Sequence, residues 1–276
     1  TGMWSSQEVE SWAYDRIVVI LPTFNRAKTL PQALDSLRAQ TDRRWFCHIL
    51  DDGSTDETPG VVAPYLKDTR FHYRRFDTNR GGVAVNEGGM GIACGEADIW
   101  VRLGSDDWFG PRKLELDRFA LSEHQNHRYG ACYGQYRNEP GQRGSELNIP
   151  AHIRPKMIAG HFCASWANVA VRTDVLRAVR ERHGQFCDPR LRNMEDWLFN
   201  RRAAMFSEFA WRGASEDGTQ AVLGATAVED ISIPWTFDAH YRIARDGASY
   251  AAHLQQTIRD DYKVTETCFG EDNEAG

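Results

Sequence analysis

The chain has 276 residues, a formal charge of −6 at pH 7, 41% hydrophobic residues and 26% charged ones. That balance, close to the soluble globular average, excludes collagen-like, fibrous and wholly disordered chains, and the length suits one large domain or two small ones. The acidic total argues against a general nucleic-acid coat, and no run approaches the roughly 18 apolar residues of a membrane span.

Residues 1–15 read as an extension with neither the basic start nor the apolar stretch of a signal peptide, so a cytoplasmic location is expected. Arg16 to Leu21 is a short apolar run rich in β-branched residues and closed by Pro22, the pattern of a buried parallel strand. Pro22-Thr23-Phe24-Asn25-Arg26 is then a loop at its C-terminal end. Leu30, Ala33, Leu34 and Leu37 recur at helical spacing, which predicts a helix from Thr29 to Gln40 with Pro31 tolerated in its first turn.

A second apolar run, Trp45 to Leu50, ends in Asp51-Asp52-Gly53-Ser54-Thr55-Asp56, a polar turn that cannot continue a strand. A helix through Val61 to Leu66 follows. The third unit runs from Phe71 to Arg74 through the turn Asn79-Arg80-Gly81-Gly82 into a helix of Val83 to Cys94, with Gly95 as its C-cap. A strand over Asp98 to Leu103 stops at Gly104-Ser105-Asp106-Asp107. Strand and helix thus alternate about four times in the first 110 residues, which predicts an α/β fold with a mostly parallel, doubly wound sheet and helices on both faces. The polar clusters fall at the C-terminal ends of strands, the edge where such sheets bind ligands.

Beyond Asp107 the pattern weakens. It predicts a helix over Pro111 to Glu123, a strand near Tyr129 to Tyr136, a lid-like or binding loop from Asn138 to Pro150, and helices at Thr173 to His183 and Asp196 to Phe209. Thr173 or Asp174 would cap the first of these two. The expected organisation is an extension (1–15), a first half with the alternating pattern (16–112), a second half of the same domain (113–260) and an acidic, frayed tail (261–276).

Six cysteines lie tens of residues apart without a C-x-x-C, which reads as reduced, mostly buried thiols. Carboxylates pair at Asp51 and Asp52, Asp106 and Asp107, and Glu195 and Asp196. Any one pair could cap a helix or sit in a solvated turn, but two on one sheet edge suit a hard cation bridging to phosphate. No G-x-x-x-x-G-K-[ST], G-x-G-x-x-G after the first strand or G-x-S-x-G occurs, so P-loop, dinucleotide and serine-hydrolase chemistries find no support. A metal-assisted reaction on a phosphate-bearing substrate remains.

The ordered set Val18 to Arg26, Ser36-Leu37-x-x-Gln40-Thr41, Asp51 to Asp56, Asn79-x-Gly81-Gly82 and Ser105-Asp106-Asp107 resembles the GT-A glycosyltransferases of family 2, strongly over residues 16–112 and more loosely over 160–250. The resemblance implies a GT-A fold with a C-terminal acceptor-binding part, and an inverting transfer of sugar from a UDP-sugar to an acceptor hydroxyl with Mn²⁺ or Mg²⁺. Pro22, Thr23, Asn25 and Arg26 would cradle the nucleotide. Asp52 would accept from the uracil ring with Asp51 in support, and Arg80, Gly81 and Ser105 would also contact the donor. The family's D-x-D falls at 104–106, where Gly104 replaces the first Asp. Asp106 is then the metal ligand, and Asp107 can add oxygens. Asn193-Met194-Glu195-Asp196-Trp197 resembles the family's E-D motif, which implies Asp196 as general base beside Glu195. A Tyr241 to Ser249 element resembles the segment that closes over the diphosphate, with Arg242 or Arg245 on phosphate and His240 as a further metal ligand.

The expected acceptor is a glycan or another hydroxyl compound bound over Asn138 to Trp166, with peripheral contact to a membrane open. A hydroxylated base in nucleic acid, met by the Arg-rich stretches 70–80 and 172–192, ranks lower. A non-catalytic nucleotide-sugar- or glycan-binding module, supported by Gly104, is the alternative from another class.

Overall fold

The computed structural model describes residues 16–122, 129–134, 136–138, 166, 169–189, 195–211 and 221–223. Its strands are β1 (Ile17–Thr23), β2 (Trp45–Asp51), β3 (Phe71–Arg75), β4 (Ile99–Arg102), β5 (Trp108–Phe109), β6 (Tyr129–Tyr133), β7 (Tyr136–Asn138), β8 (Val169–Arg172), β9 (Glu208–Trp211) and β10 (Ala221–Leu223). The helices are α1 (Leu30–Arg38), α2 (Thr58–Val62) with a 3-10 turn at Ala63–Lys67, α3 (Gly82–Glu96), α4 (Lys113–Leu121), α5 (Thr173–His183) and α6 (Glu195–Phe206).

One sheet has the order β3-β2-β1-β4-β8-β6-β9. The first four strands are parallel, β8 is antiparallel to both β4 and β6, and β9 returns parallel to β6. The α/β architecture expected from the alternation is therefore present. A small second sheet joins β5, β10 and β7.

Period-two alternation along β1 divides the core between the two faces of the sheet. Val18 and Ile20 pack with Val85 and Met90 of α3, Leu176 and Val179 of α5, and Phe199 and Ala203 of α6. Ile17, Val19 and Leu21 pack with Leu30, Leu34 and Leu37 of α1 and with Leu114 and Leu121 of α4. All of these side chains are essentially out of water, and at about 25 cal/mol per Å² their burial is the main force that holds helices to both faces.

Several boundaries differ from the sequence reading. β1 runs through Pro22 to Thr23 rather than stopping at Leu21. The ladder explains this: Ile20 O bonds toward β4, so Pro22 turns its missing N–H to the same side, where the β4 pairing has already ended at Arg102. α3 continues past Gly95 to Glu96 and ends on extended Ala97, so Gly95 is not its C-cap. Neither Thr173 nor Asp174 is the N-cap of α5. Thr173 is its first residue and gives its hydroxyl to Ala97 O at 2.8 Å, while Asp174 Oδ1 accepts the neighbouring Val175 N–H. The strand expected over Tyr129 to Tyr136 ends at Tyr133, and residues 136–138 join the other sheet. The last expected helix stops at Phe206 and gives way to β9. β8 went unread because Val169-Ala170-Val171 is too short an apolar run to stand out.

Charged groups are also buried where a composition reading places only apolar ones. Lys113 Nζ meets Asp117 Oδ2 at 2.6 Å with both side chains fully inside, and Arg118 Nε meets Asp42 Oδ2. These pairs let α4 lie against the sheet without unpaired charge.

Candidate active site

β1, β2 and β4 end on one edge of the sheet, and α3 begins beside it. The turn after β2 is tied to all its neighbours by its own carboxylates. Asp51, wholly buried, accepts the Ser54 N–H at 2.8 Å and the Tyr73 hydroxyl at 2.5 Å, with Arg75 Nε at 4.0 Å. Burial and that carboxylate together push the Tyr73 hydroxyl well above its ordinary pKa. Asp52 donates its own N–H to Thr23 O at 2.8 Å, and its carboxylate accepts two N–H groups, from Arg80 at 2.7 Å and Gly81 at 2.9 Å. Gly81, at φ +84°, is the N-cap of α3, so Asp52 places a negative charge at the positive end of that helix. Gly53 is required at φ +80° and lies against the backbone of Thr78 and Asn79, where a Cβ would come within 3.1 Å.

The loop after β1 is pinned to this turn. Asn25, the one described non-glycine residue at positive φ (52°), donates its N–H to Ser54 Oγ at 2.9 Å, and its Oδ1 accepts the Thr55 N–H at 2.8 Å. Arg26 N–H bonds Thr58 Oγ1 and Ala27 N–H bonds Asp56 Oδ2, each at 3.1 Å. Although burial opposes ionisation of Asp56, bonds from the Thr58 hydroxyl, the Thr58 amide and the Ala27 amide hold its carboxyl below the usual range. Thr23 turns its side chain inside and offers the edge only its backbone. Pro22 is half-buried within the strand. The structure thus brings Pro22, Thr23, Asn25, Arg26, Asp52, Arg80 and Gly81 together, but spends much of Asn25 and Asp52 on holding loops. Phe24, 41% exposed on that edge, was read only as part of the loop and its motif, and Arg75, which donates to Ser54 O at 2.6 Å, only as part of the Arg-rich stretch 70–80. An aromatic residue placed just beyond the last buried strand position was the available signal for Phe24.

After β4, Leu103 N–H still bonds Ile20 O, and the chain then turns, with Asp107 N–H closing on Gly104 O at 3.1 Å. Ser105 is buried, and its carbonyl accepts the Thr29 hydroxyl at 2.9 Å. Arg26 Nη2 lies 3.9 Å from Asp106 Oδ2, joining the first loop to the third. A Cβ on Gly104 would overlap Asp107 Oδ2 and stand 3.1 Å from Asp106 Oδ1. Both carboxylates therefore converge on the space that any side chain at 104 would take. Two hard oxygen donors converging there fit a divalent cation whose other ligands are water and phosphate. Among the described residues no group of three or more His, Cys, Asp or Glu side chains is placed to hold a metal.

Glu195 and Asp196 open α6, with Asp196 buried and Glu195 half-buried. Their relation to the edge passes through Cys187. Its thiol is pushed well above the ordinary value by burial first and then by the carboxylates of Glu87 and Glu195, while Arg202 and Arg102 act the other way. Arg102 is the last residue of β4, so the start of α6 and the end of β4 share this neighbourhood. Burial also raises the other thiols, Cys132 to about 12, and Cys47, Cys94, Cys132 and Cys187 are all unpaired, as the spacing predicted. His240, Arg242, Arg245 and most of the 138–166 acceptor segment lie outside the described residues.

The family model described as Glycosyl transferase family 2 matches residues 18–199. A putative glycosyltransferase of Bacillus subtilis, EpsE, is 26% identical over 188 residues, covering 66% of each chain. An uncharacterized glycosyltransferase of Rickettsia felis is 31% identical over 127 residues, 46% of this chain and 20% of its own length. Among solved structures, TarS 1–349 of S. aureus aligns with TM-score 0.60 at 20% identity, over 76% of this chain and 60% of that one. The mannosyltransferase PcManGT of Pyrobaculum calidifontis, solved with GDP-Man and Mn²⁺, aligns with TM-score 0.56 at 18% identity, over 96% of this chain and 77% of its own.

Proposed function

The chain belongs to glycosyl transferase family 2 and has the GT-A type of α/β fold, and on that footing we propose that it transfers a sugar from a UDP-sugar to an acceptor hydroxyl with inversion. The observation that carries this reading is the joined sheet edge, where the turn after β2 is locked by Asp52 to the start of α3 and Arg26 meets Asp106 across the sheet. TarS has also been solved with UDP and with UDP-GlcNAc. Uracil is the base in both, which favours UDP over GDP without excluding a GDP-sugar from the test.

In this reading the exposed face of Phe24 stacks on the base and a remaining lone pair of Asp52 accepts from the ring N–H. The guanidinium groups of Arg26 and Arg80 meet the diphosphate. Asp106 and Asp107 hold Mn²⁺ or Mg²⁺, which when bound neutralises charge on the departing diphosphate. Asp196 takes the proton of the acceptor hydroxyl, because attack opposite the leaving group needs a base on that side. The acceptor class is a glycan or another hydroxyl compound met by the 138–166 segment.

The test is a panel of UDP-glucose, UDP-galactose, UDP-N-acetylglucosamine, UDP-glucuronate and GDP-mannose, each with Mn²⁺ and with chelator. A donor present at 100 times its Kd stabilises the fold by about 2.7 kcal/mol, visible as a metal-dependent thermal shift, with slow release of nucleoside diphosphate. A protein that neither shifts nor hydrolyses any of the five overturns the reading. Shift without hydrolysis leaves the binding-module alternative in its place.

A further inference from the structure

Two consecutive residues of α3, Asn86 and Glu87, reach in two directions that the proposed chemistry does not yet use. Glu87 Oε2 accepts the N–H groups of Phe186, at 2.9 Å, and Cys187, at 2.8 Å, across 99 and 100 residues of sequence. The carbonyls of the same turn are held from the opposite side: Arg202 Nη1, on α6 and buried, donates to Gln185 O at 3.4 Å and to Phe186 O at 3.3 Å. The turn at 185–187 is therefore clamped between a carboxylate on α3 and a guanidinium on α6, with its N–H groups given to one and its carbonyls to the other.

Asn86, buried, accepts from Arg102 Nε at 3.1 Å, and the Arg102 guanidinium lies 5.3 Å from the centre of the Trp166 ring. Arg102 immediately precedes the segment that turns Asp106 and Asp107 onto the edge. The first turn of α3 is itself held by Asp52. One helix thus spans three pieces of the site: the donor turn at its start, the end of β4 through Asn86, and the 185–187 turn through Glu87. Arg202 lies two turns along α6 from Glu195 and Asp196, so what fixes that turn also fixes the helix that opens with them.

We propose that Glu87 is a positioning residue for the Asp196 base, holding the 185–187 turn and, through Arg202, the start of α6 at a set distance from the donor edge. This rests on Asp196 being the base. The physical reason is the steep dependence of proton abstraction on placement: a shift of about 1 Å in a catalytic group can cost about 100-fold in rate. Glu87 touches no substrate in this scheme. Its loss should act on turnover and leave donor recognition, which depends on the Asp52 bonds to Arg80 and Gly81 ahead of the helix, as it was.

The experiment compares the full chain with Glu87→Ala, Glu87→Gln, Asp196→Asn and the Glu87→Ala/Asp196→Asn double variant, using Mn²⁺ and whichever UDP-sugar of the panel is hydrolysed fastest. Glu87→Ala is expected to lower kcat by about 10- to 100-fold with donor KM within about twofold. Glu87→Gln keeps an acceptor oxygen for the two N–H groups and should recover most of that loss. The double variant should be no slower than Asp196→Asn alone, since Glu87 acts through that side chain. A folded Glu87→Ala with wild-type kcat, a loss confined to KM, or losses that multiply in the double variant each overturn the positioning role. If Glu87→Ala does not fold, Glu87→Asp, which draws the carboxylate back by one methylene, carries the test: a fall of about threefold or more in kcat at constant KM supports the role, and unchanged kcat removes it. Asp196→Asn at full kcat refutes the base assignment itself, whereas an inactive Asp196→Asn beside a fully active Glu87→Ala refutes the positioning role alone.

Discussion

Restoring the family's missing carboxylate should harm this protein. On the proposed reading Gly104 stands where the family motif has its first Asp, so Gly104→Asp adds a carboxylate to the proposed metal site. The space is already taken, because a Cβ there overlaps Asp107 Oδ2 and stands 3.1 Å from both Asp107 Cγ and Asp106 Oδ1. Overpacking a rigid core costs about 1 to 3 kcal/mol, but here the obstacles are the tips of two short side chains that can rotate. The expected cost to stability is therefore at the low end, about 1 kcal/mol, or roughly 2 to 4 °C in Tm for a chain of this size. The effect on the cation should be larger, since the Asp107 carboxylate must leave the position it shares with Asp106. Disturbing the groups that orient a metal typically costs about 10- to 100-fold in affinity. Calorimetric titration of Mn²⁺ in the presence of UDP measures it, and Gly104→Ala, which adds bulk without charge, should weaken binding by that factor. Gly104→Asp should gain nothing until Asp107 is also shortened, as in Gly104→Asp/Asp107→Gly. A Gly104→Asp protein that binds Mn²⁺ more tightly than the parent would show that Asp107 has not taken over the role.

Two further expectations follow from the loops and the buried charge. Phe24→Ala should weaken UDP binding by about 1 to 3 kcal/mol, the usual worth of a stacked base, while leaving urea stability unchanged; UDP affinity equal to the parent would place the base elsewhere. Asp42 is held below its ordinary pKa despite burial, because Arg118 hydrogen-bonds and pairs with it. A carboxyl depressed in the folded state contributes stability that is fully present above its unfolded value, near 3.9, and lost as pH falls through the folded value. Urea midpoints should thus decline below about pH 4, and Asp42→Asn should flatten that part of the curve, whereas an unchanged acid limb would mean that other carboxylates set it.

The four parallel strands and the helices between them were legible because their burial is periodic. Val18 and Ile20 face one side, Ile17, Val19 and Leu21 the other, and Leu30, Ala33, Leu34 and Leu37 trace a single helical face. The second half was less so, for a physical reason. β8 is only four residues long, and it pairs antiparallel with β4 across about 70 residues of sequence, a relation that no local pattern encodes. The buried Lys113, Asp117 and Arg118 disguise the inner face of α4 as an exposed one. In the site, the residue types and their edge were readable from motif order alone. Their division of labour was not, because whether a carboxylate faces a ligand or a backbone amide depends on the neighbouring loop, as Asp52 and Asn25 show.

That division bears on how the edge would receive a nucleotide. A helix N-terminus beside a strand end ordinarily invites phosphate to its free N–H groups. Here Asp52 has already taken the N–H groups of Arg80 and Gly81, and an incoming diphosphate would meet a carboxylate at the same helix end. Binding phosphate on the N–H groups of Arg80 and Gly81 would therefore require Asp52 to be displaced, at the cost of two charge-assisted bonds of about 1.5 to 3 kcal/mol each. The groups not committed in this way are the exposed ring of Phe24 and the guanidinium of Arg26. Arg26 makes only a 3.9 Å, solvent-exposed contact with Asp106, a pair weak enough to be exchanged for phosphate. On the proposed reading the diphosphate is then held by side chains, the guanidinium groups of Arg26 and Arg80, rather than by these two N–H groups, with Asp106 and Asp107 on the Arg26 side of the edge. On the proposed reading Asp52 stays where the Arg80 and Gly81 N–H groups hold it, keeps a lone pair for the base, and serves recognition by keeping the donor turn in one shape.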